Sequence, residues 1–186
     1  ISPTYTPDPG DLGNIVTLTL TVTSTTSCAA TATADYSITV QGLPTAAVSG
    51  SSTICSNSTA AVSGVSASNG NSSWTHNGSG SISNATGLTP TYTPSVLDAG
   101  NTVSLTLTVS SNNSCAPSSA TAVYLVTVDH LPTATVGSNT TICESSPYLI
   151  TGAAFNYGTA NWTHNGAGTI TNGNTSSPTY TPSPLD

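Results

Sequence analysis

The chain contains no lysine, no arginine and no methionine, and only one phenylalanine, in 186 residues. Its acidic side chains stand uncompensated, for a formal net charge of −7. Without cations the usual route to nucleic acid, neutralisation of phosphates by Lys and Arg, is closed. Anionic membrane surfaces should likewise repel it. No apolar run reaches the ~18 residues of a spanning helix, so no membrane insertion is expected. No secretory leader is visible, and Ile1 is not expected to be a natural N-terminus. Charged residues make up 4% of the chain, against about a quarter in an ordinary globular protein, too little for charge-driven disorder. There is no Gly-x-Ser-x-Gly elbow and no recurring Ser/His/acid set, so no catalytic residue and no enzyme activity are expected. A chain without Lys or Arg also offers trypsin no cleavage site, which suits an existence outside the cell.

What the chain has in excess is Ser and Thr, roughly a third of its residues, and self-similarity. "WTHNGSGSI" at 74–82 returns as "WTHNGAGTI" at 162–170. "PTYTP" begins at Pro3, Pro90 and Pro178, and "LPTA" at Leu43 and Leu131. "TIC" ends at Cys55 and Cys143, and "VTLTLTV" at 16–22 returns as "VSLTLTV" at 103–109. Every offset is 87 or 88 residues. With "LPTA" as the start of a unit, residues 1–42 are the C-terminal half of one repeat, 43–130 a complete repeat, and 131–186 the N-terminal part of the next. A half-sandwich exposes its core face and should not fold alone. The chain is therefore expected to be an excerpt of a longer array, or to associate so that neighbouring chains complete each other's halves.

Within 43–130, period-2 alternation and turn residues predict about seven short strands, the pattern of a β-sandwich. A first strand is split around 49–52 into 45–48 and 53–55, and a second covers 59–64. A hairpin joins 73–77 to 81–83 across Asn77-Gly78-Ser79-Gly80, and 91–93 is an edge strand between Pro90 and Pro94. Two long strands follow, 102–110 and 120–128. In them Val103, Leu105, Leu107 and Val109, then Ala122, Tyr124, Val126 and Val128, share one face. The fold class is all-β, in tandem sandwich repeats of about 88 residues, with no helix.

On "TIC", "WTHNGSGSI", "PTYTPSVLDAGNTVSLTLTV" and "NNSC" before the final strand, the unit resembles the immunoglobulin-like or PKD-like repeats of giant secreted Bacteroidota adhesins. Those include adhesins linked to gliding motility and type IX secretion. The resemblance implies a scaffold on the cell surface, not an activity. Trp74 and Trp162 sit where such folds place the buried tryptophan of the third strand. The chain departs from antibody-type domains elsewhere. Ala60, Val62, Leu105 and Leu107 stand on the second and sixth strands with no cysteine pair, and Val103 replaces the expected corner tyrosine. The core must hold by packing, each buried Trp, Leu or Val contributing roughly 1.5–3 kcal/mol.

Candidate chemistry is sparse. His76 and His164 occupy one repeat position, and no second His, Cys or acid recurs beside them to make a metal site, so they read as solvent-exposed turn residues. His130, at the junction of two units, reads as a linker contact. Asp8, Asp11 and Asn14 could offer oxygens to calcium, but the matching stretch keeps only Asp98, short of the six to eight that calcium takes. Turn-stabilising aspartates are the plainer expectation, and no metal or cofactor is expected. Asn-x-Ser/Thr triplets, for example at Asn57, Asn84 and Asn161, arise readily by chance in so Ser/Thr-rich a chain. The outward Thr17, Thr19, Thr21, Thr106 and Thr108 could form an ice- or sugar-binding array. The strand preference of Thr explains them more simply.

Cys28 and Cys115 are repeat equivalents, as are Cys55 and Cys143. In an exported protein they should be oxidised. In a sandwich of the usual strand order, Cys115 lies in the last hairpin loop and Cys55 at the opposite end, roughly 25–30 Å away. A disulfide tolerates less than about 7 Å between Cα atoms. Stapling of successive repeats is therefore expected, with an intra-repeat Cys55–Cys115 bridge as the alternative. The functional expectation is an extracellular stalk or spacer in which each unit adds about 35–45 Å of reach. Its partners would be neighbouring repeats, lateral filament partners and surface glycans. The competing expectation is a carbohydrate-binding module that stacks sugars on Trp74 and Trp162, and burial of the indoles discriminates the two.

Overall fold

The computed structural model describes residues 2–186. They group into two compact units, residues 2–54 with 58–128 and residues 55–57 with 129–186. The chain is all-β, as its alternation predicts; the only helical pieces among the described residues are two 3-10 turns, Pro9–Asp11 and Val96–Asp98. No helix is long and apolar enough to cross a membrane.

The first unit opens with an antiparallel hairpin, β1 (Ile15–Thr23) and β2 (Thr31–Thr39). A two-layered body follows. One layer is ordered β4-β11-β10-β7, from β4 (Ser51–Cys55), β7 (Gly70–His76), β10 (Thr102–Ser111) and β11 (Ser119–Asp129). Opposite it lie the pair β3 (Thr45–Val48) with β6 (Val65–Ser68), and the group β5 (Ala60–Ala61), β9 (Thr91–Thr93) and β8 (Ser81–Ser83). The predicted split of the first strand has a structural purpose. Gly50 takes φ +86°, a left-handed conformation open to glycine, so β3 pairs in one layer and β4 in the other. Strand β6 is a strand the sequence does not announce: in "VSAS" only Val65 favours a strand, and pairing with β3 defines the rest.

The core lies between the layers. Trp74, Leu105, Leu107, Val109, Tyr124, Val126 and Val128 meet Ala60, Val62 and Tyr92, with Val48, Val65 and Ile82 closing the edges. The β10–β11 register pairs Leu105 with Tyr124 and Leu107 with Ala122. The β1–β2 register is the same, pairing Leu18 with Tyr36 and Leu20 with Ala34. Burial differs, most sharply toward the loop end, since Val16, Leu18 and Ile38 of the first hairpin are half-buried. Leu107, Val109 and Tyr124 are 0%, 0% and 5% exposed, whereas their equivalents Leu20, Val22 and Tyr36 are 63%, 55% and 69% exposed.

The second unit contains β12 (Thr133–Thr135) paired with β14 (Ala154–Asn156), and β13 (Tyr148–Leu149), β16 (Thr179–Thr181) and β15 (Thr169–Thr171) in one small sheet. These are the repeat equivalents of β3, β6, β5, β9 and β8. Residues 139–143 and 158–164, equivalent to β4 and β7, form no strand. In the complete repeat those two strands flank the β10–β11 hairpin. On its open side this unit leaves a cavity of about 470 Å³, lined among others by Tyr148, Ile150, Trp162, Ile170 and Tyr180.

Candidate functional site

The residues that recur most faithfully build a latch. Asp98 ends the 3-10 turn capped by Ser95 and is buried. Its carboxylate accepts from the Ser79 N–H at 2.7 Å, the Ser95 N–H at 2.8 Å and the Tyr92 hydroxyl at 2.7 Å. The Gly80 N–H donates to the Tyr92 hydroxyl at 3.1 Å. The glycines of "NGSG" are there for clearance. A Cβ on Gly78 would stand 2.3 Å from the Tyr92 hydroxyl, and one on Gly80 2.2 Å from the Thr93 carbonyl oxygen. Asn77 anchors the turn by accepting from the Ser104 N–H at 2.8 Å. Burial pushes the Tyr92 hydroxyl up to about 12, helped by the Asp98 carboxylate beside it. Burial opposes the charge on Asp98, but the N–H groups of Ser79 and Ser95 and the Tyr92 hydroxyl outweigh it and hold the carboxyl below its usual value.

The same Tyr–Asp pair, six residues apart, closes Tyr5 on Asp11 and Tyr180 on Asp186. "PTYTP" and "LDAGN" read as separate marks in the sequence. The fixed spacing from Tyr to Asp in all three copies is the signal that joins them.

Trp74 is 4% exposed, and its Nε1–H donates to the Gly87 carbonyl at 3.0 Å. It leaves no face free for a sugar. Trp162 makes the equivalent bond to the Thr175 carbonyl at 3.0 Å but is only half-buried. The exposed-turn expectation fails for His76. It is the last residue of β7, half-buried, with its ring edge-on to Tyr92 at 5.3 Å, because the turn folds back over the latch. His164 is exposed and keeps the same edge contact to Tyr180, at 5.5 Å. His130 stacks on Tyr157 with ring centroids 4.0 Å apart.

The aspartates serve turns. Asp8 accepts from the Gly10 N–H at 2.9 Å, and Asp11 from the Asp8 N–H at 2.8 Å. The Asn14 amide donates to the Gly10 carbonyl at 3.0 Å. Among the described residues no group of three His, Cys, Asp or Glu side chains could hold a metal ion. The threonine face of β10 is not a regular array either: Thr106 lies opposite Val123 and Ser104 opposite Leu125, both exposed apolar side chains.

The four cysteines are unpaired thiols. Cys28, Cys55 and Cys143 are exposed and Cys115 is half-buried. Cys115 lies in the β10–β11 loop, which grips the chain just before β3. Its thiol donates to the Gln41 carbonyl at 3.6 Å, the Ser114 N–H to the Gln41 side chain at 2.8 Å and the Asn113 amide to the Gly42 carbonyl at 3.0 Å. Cys55 belongs to the other end of β11: the N–H of its neighbour Ser56 donates to the Asp129 carbonyl at 2.9 Å.

No protein-family model matches the chain, and no curated protein does. Among solved structures it is similar to a nucleoside hydrolase-related hypothetical protein from Saccharophagus degradans that is associated with carbohydrate metabolism. The identity is 22%, over 50% of this chain and 26% of that one, with a TM-score of 0.37. The chain thus spans about a quarter of that protein, and so remote a likeness assigns it no activity.

Proposed function

We propose that the chain is a run of structural repeats from an extracellular cell-surface adhesin or filament, of the immunoglobulin-like or PKD-like type. Its task is reach and stiffness. One observation carries this reading: the three-fold recurrence of the Tyr–Asp latch, Tyr5–Asp11, Tyr92–Asp98 and Tyr180–Asp186. What the chain copies is the hardware that holds a sandwich shut, not a cluster of reactive side chains. The near-constant 87- or 88-residue offset fits units stacked as a one-dimensional array, where each contacts only its neighbours. The loop that clamps Gln41 and Gly42 would restrain bending at each junction. Recognition of a ligand or of surface glycans is then left to other parts of the parent protein.

Immunogold labelling of intact cells of the source organism, with antibodies to residues 43–130, tests the proposal. The expected result is a row of label along surface fibres, on cells whose envelope is unbroken. Label found only after lysis would overturn it.

A further inference from the structure

We infer that the two cysteines of each repeat are halves of two different covalent staples along one chain. Cys55 bonds the repeat that follows it, and Cys115 bonds the repeat that precedes it. The inference deepens the stalk reading and rests on its array of repeats.

A bond inside the repeat is out of reach. Cys55 ends β4, and the N–H of the next residue, Ser56, donates at 2.9 Å to the carbonyl of Asp129, the last residue of β11. Cys115 lies before the first residue of that strand, Ser119. The 11 residues of β11 span about 33 Å at about 3.3 Å each. A disulfide needs its Cα atoms within about 7 Å. The two thiols therefore belong to opposite ends of the repeat.

Both ends nevertheless meet the same point of a junction. Gln41 and Asp129 are repeat equivalents, 88 residues apart, each two residues before a Leu-Pro pair. The Cys115 thiol donates to the Gln41 carbonyl at 3.6 Å. Its loop is fixed there. The Cys115 N–H donates to the Asn113 side chain at 2.8 Å, the Asn113 amide to the Gly42 carbonyl at 3.0 Å, and the Ser114 N–H to the Gln41 side chain at 2.8 Å. By the equivalence, the following repeat sets its own copy of Cys115 on the Asp129 carbonyl, which the Ser56 N–H already holds. A carbonyl oxygen has two lone pairs and accepts both donors. One donor is then a cysteine thiol, and the other is the N–H of the residue after a cysteine. Neither contact involves an uncovered apolar face.

Cys55 is exposed, so an oxidant reaches it. Closure proceeds by exchange with a small-molecule disulfide such as oxidised glutathione. The Cys55 thiolate attacks it, forming a mixed disulfide and releasing one thiol, and the facing thiolate displaces the second. Two protein thiols lose two electrons, and the donor leaves as two thiols.

The test uses the natural chain carried on in both directions until the two flanking repeats are whole. It is treated with oxidised glutathione, blocked with N-ethylmaleimide, and mapped by mass spectrometry after chymotrypsin. Cys55 and Cys115 should resist blocking until a reductant is added, each bonded to a cysteine peptide of a flanking repeat. Cys28 and Cys143, whose partners belong one repeat further out, should be blocked at once. Cys115→Ser should leave Cys55 protected and free a thiol in the preceding repeat instead. A peptide joining Cys55 to Cys115, or blocking of all four cysteines after oxidation, would overturn the staple while leaving the array standing. Flanking sequence without the Tyr–Asp latch and its two cysteines would overturn the array reading and the staple with it.

Discussion

Two hairpins in this molecule carry nearly the same sequence and have opposite surroundings. β10–β11 is the centre of the core, while β1–β2, with the same alternation and register, shows the same face to solvent. Local information therefore suffices for the strands and their pairing: "VTLTLTV" and "VSLTLTV" both make a hairpin of fixed register. It does not suffice for the edge strands. The β4 and β7 positions become strands only where a hairpin lies between them. Hairpin first and flanks second is the dependence this comparison teaches.

The sharpest way to break the comparison is to cut the same side chain from both hairpins. Leu107→Ala removes a fully buried side chain facing Trp74 and should cost about 2–5 kcal/mol. Leu20→Ala, in dilute reduced protein, should change stability by under about 0.5 kcal/mol. Urea melts followed by Trp74 fluorescence, in a Trp162→Phe background, compare the two directly. Equal losses would mean that the β1–β2 face is covered in the isolated chain.

Sequence legibility follows the same division. The long strands, the split first strand and the existence of a turn at 77–80 and of a strand at 91–93 all show in period and punctuation. These are local signals, decided by pleat and turn chemistry. Two expectations fail: β7 and β8 belong to opposite layers instead of forming a hairpin, and 91–93 is the middle strand between β5 and β8, not an edge, because pairing partners are set by the tertiary fold. Strand β6 was illegible because, Val65 apart, its residues become a strand only by pairing with β3. The latch was half legible. Tyr92 reads as a β-former and Asp98 as a turn former, and nothing local says that one donates to the other across six residues. His76 was misplaced for the same reason, since a turn residue is exposed unless the turn folds back over something.

The latch offers the next contrast. Asp98→Asn takes a charged acceptor from one buried and two partly buried donors and should cost about 1–3 kcal/mol. Asp11→Asn, at the equivalent position beside the exposed hairpin, should leave the main unfolding transition unmoved. Tyr92→Phe should reproduce part of the Asp98 loss, because Gly80 N–H loses its acceptor as well. A melt of Asp98→Asn that overlays the wild type would show that packing alone holds the turn.

The pH profile sharpens this with a smaller effect. The folded Asp98 carboxyl titrates below its ordinary value, so its stabilisation is complete above about pH 4 and fades as pH falls through the folded value. Tyr92 behaves in the opposite sense. It titrates near 12 when folded, against 10 ordinarily, so its contribution is intact below pH 10 and is lost as pH rises through about 12. Melting temperature measured from pH 2 to 12 should therefore fall at both ends. Asp98→Asn should flatten both limbs, since it removes the acid itself and the anion that raises Tyr92. An unaltered alkaline limb in that variant would assign the Tyr92 shift to burial alone.

The smallest effect belongs to the outer faces, where the two hairpins stop differing in environment and differ only in residue. β11 exposes Val123 and Leu125 at the positions where β2 carries Asp35 and Ser37. Asp35 accepts from the Thr19 hydroxyl at 2.6 Å, and Thr19 is the equivalent of Thr106. Val123→Asp therefore transplants a pair that the molecule already builds, with the new carboxylate in reach of the Thr106 hydroxyl. An exposed hydrogen bond gained and a little strand preference lost should nearly cancel, within about 0.5 kcal/mol. A loss above 1 kcal/mol would mean that Val123 is covered by something in solution, and that the outer face of the complete repeat is a contact surface in its own right.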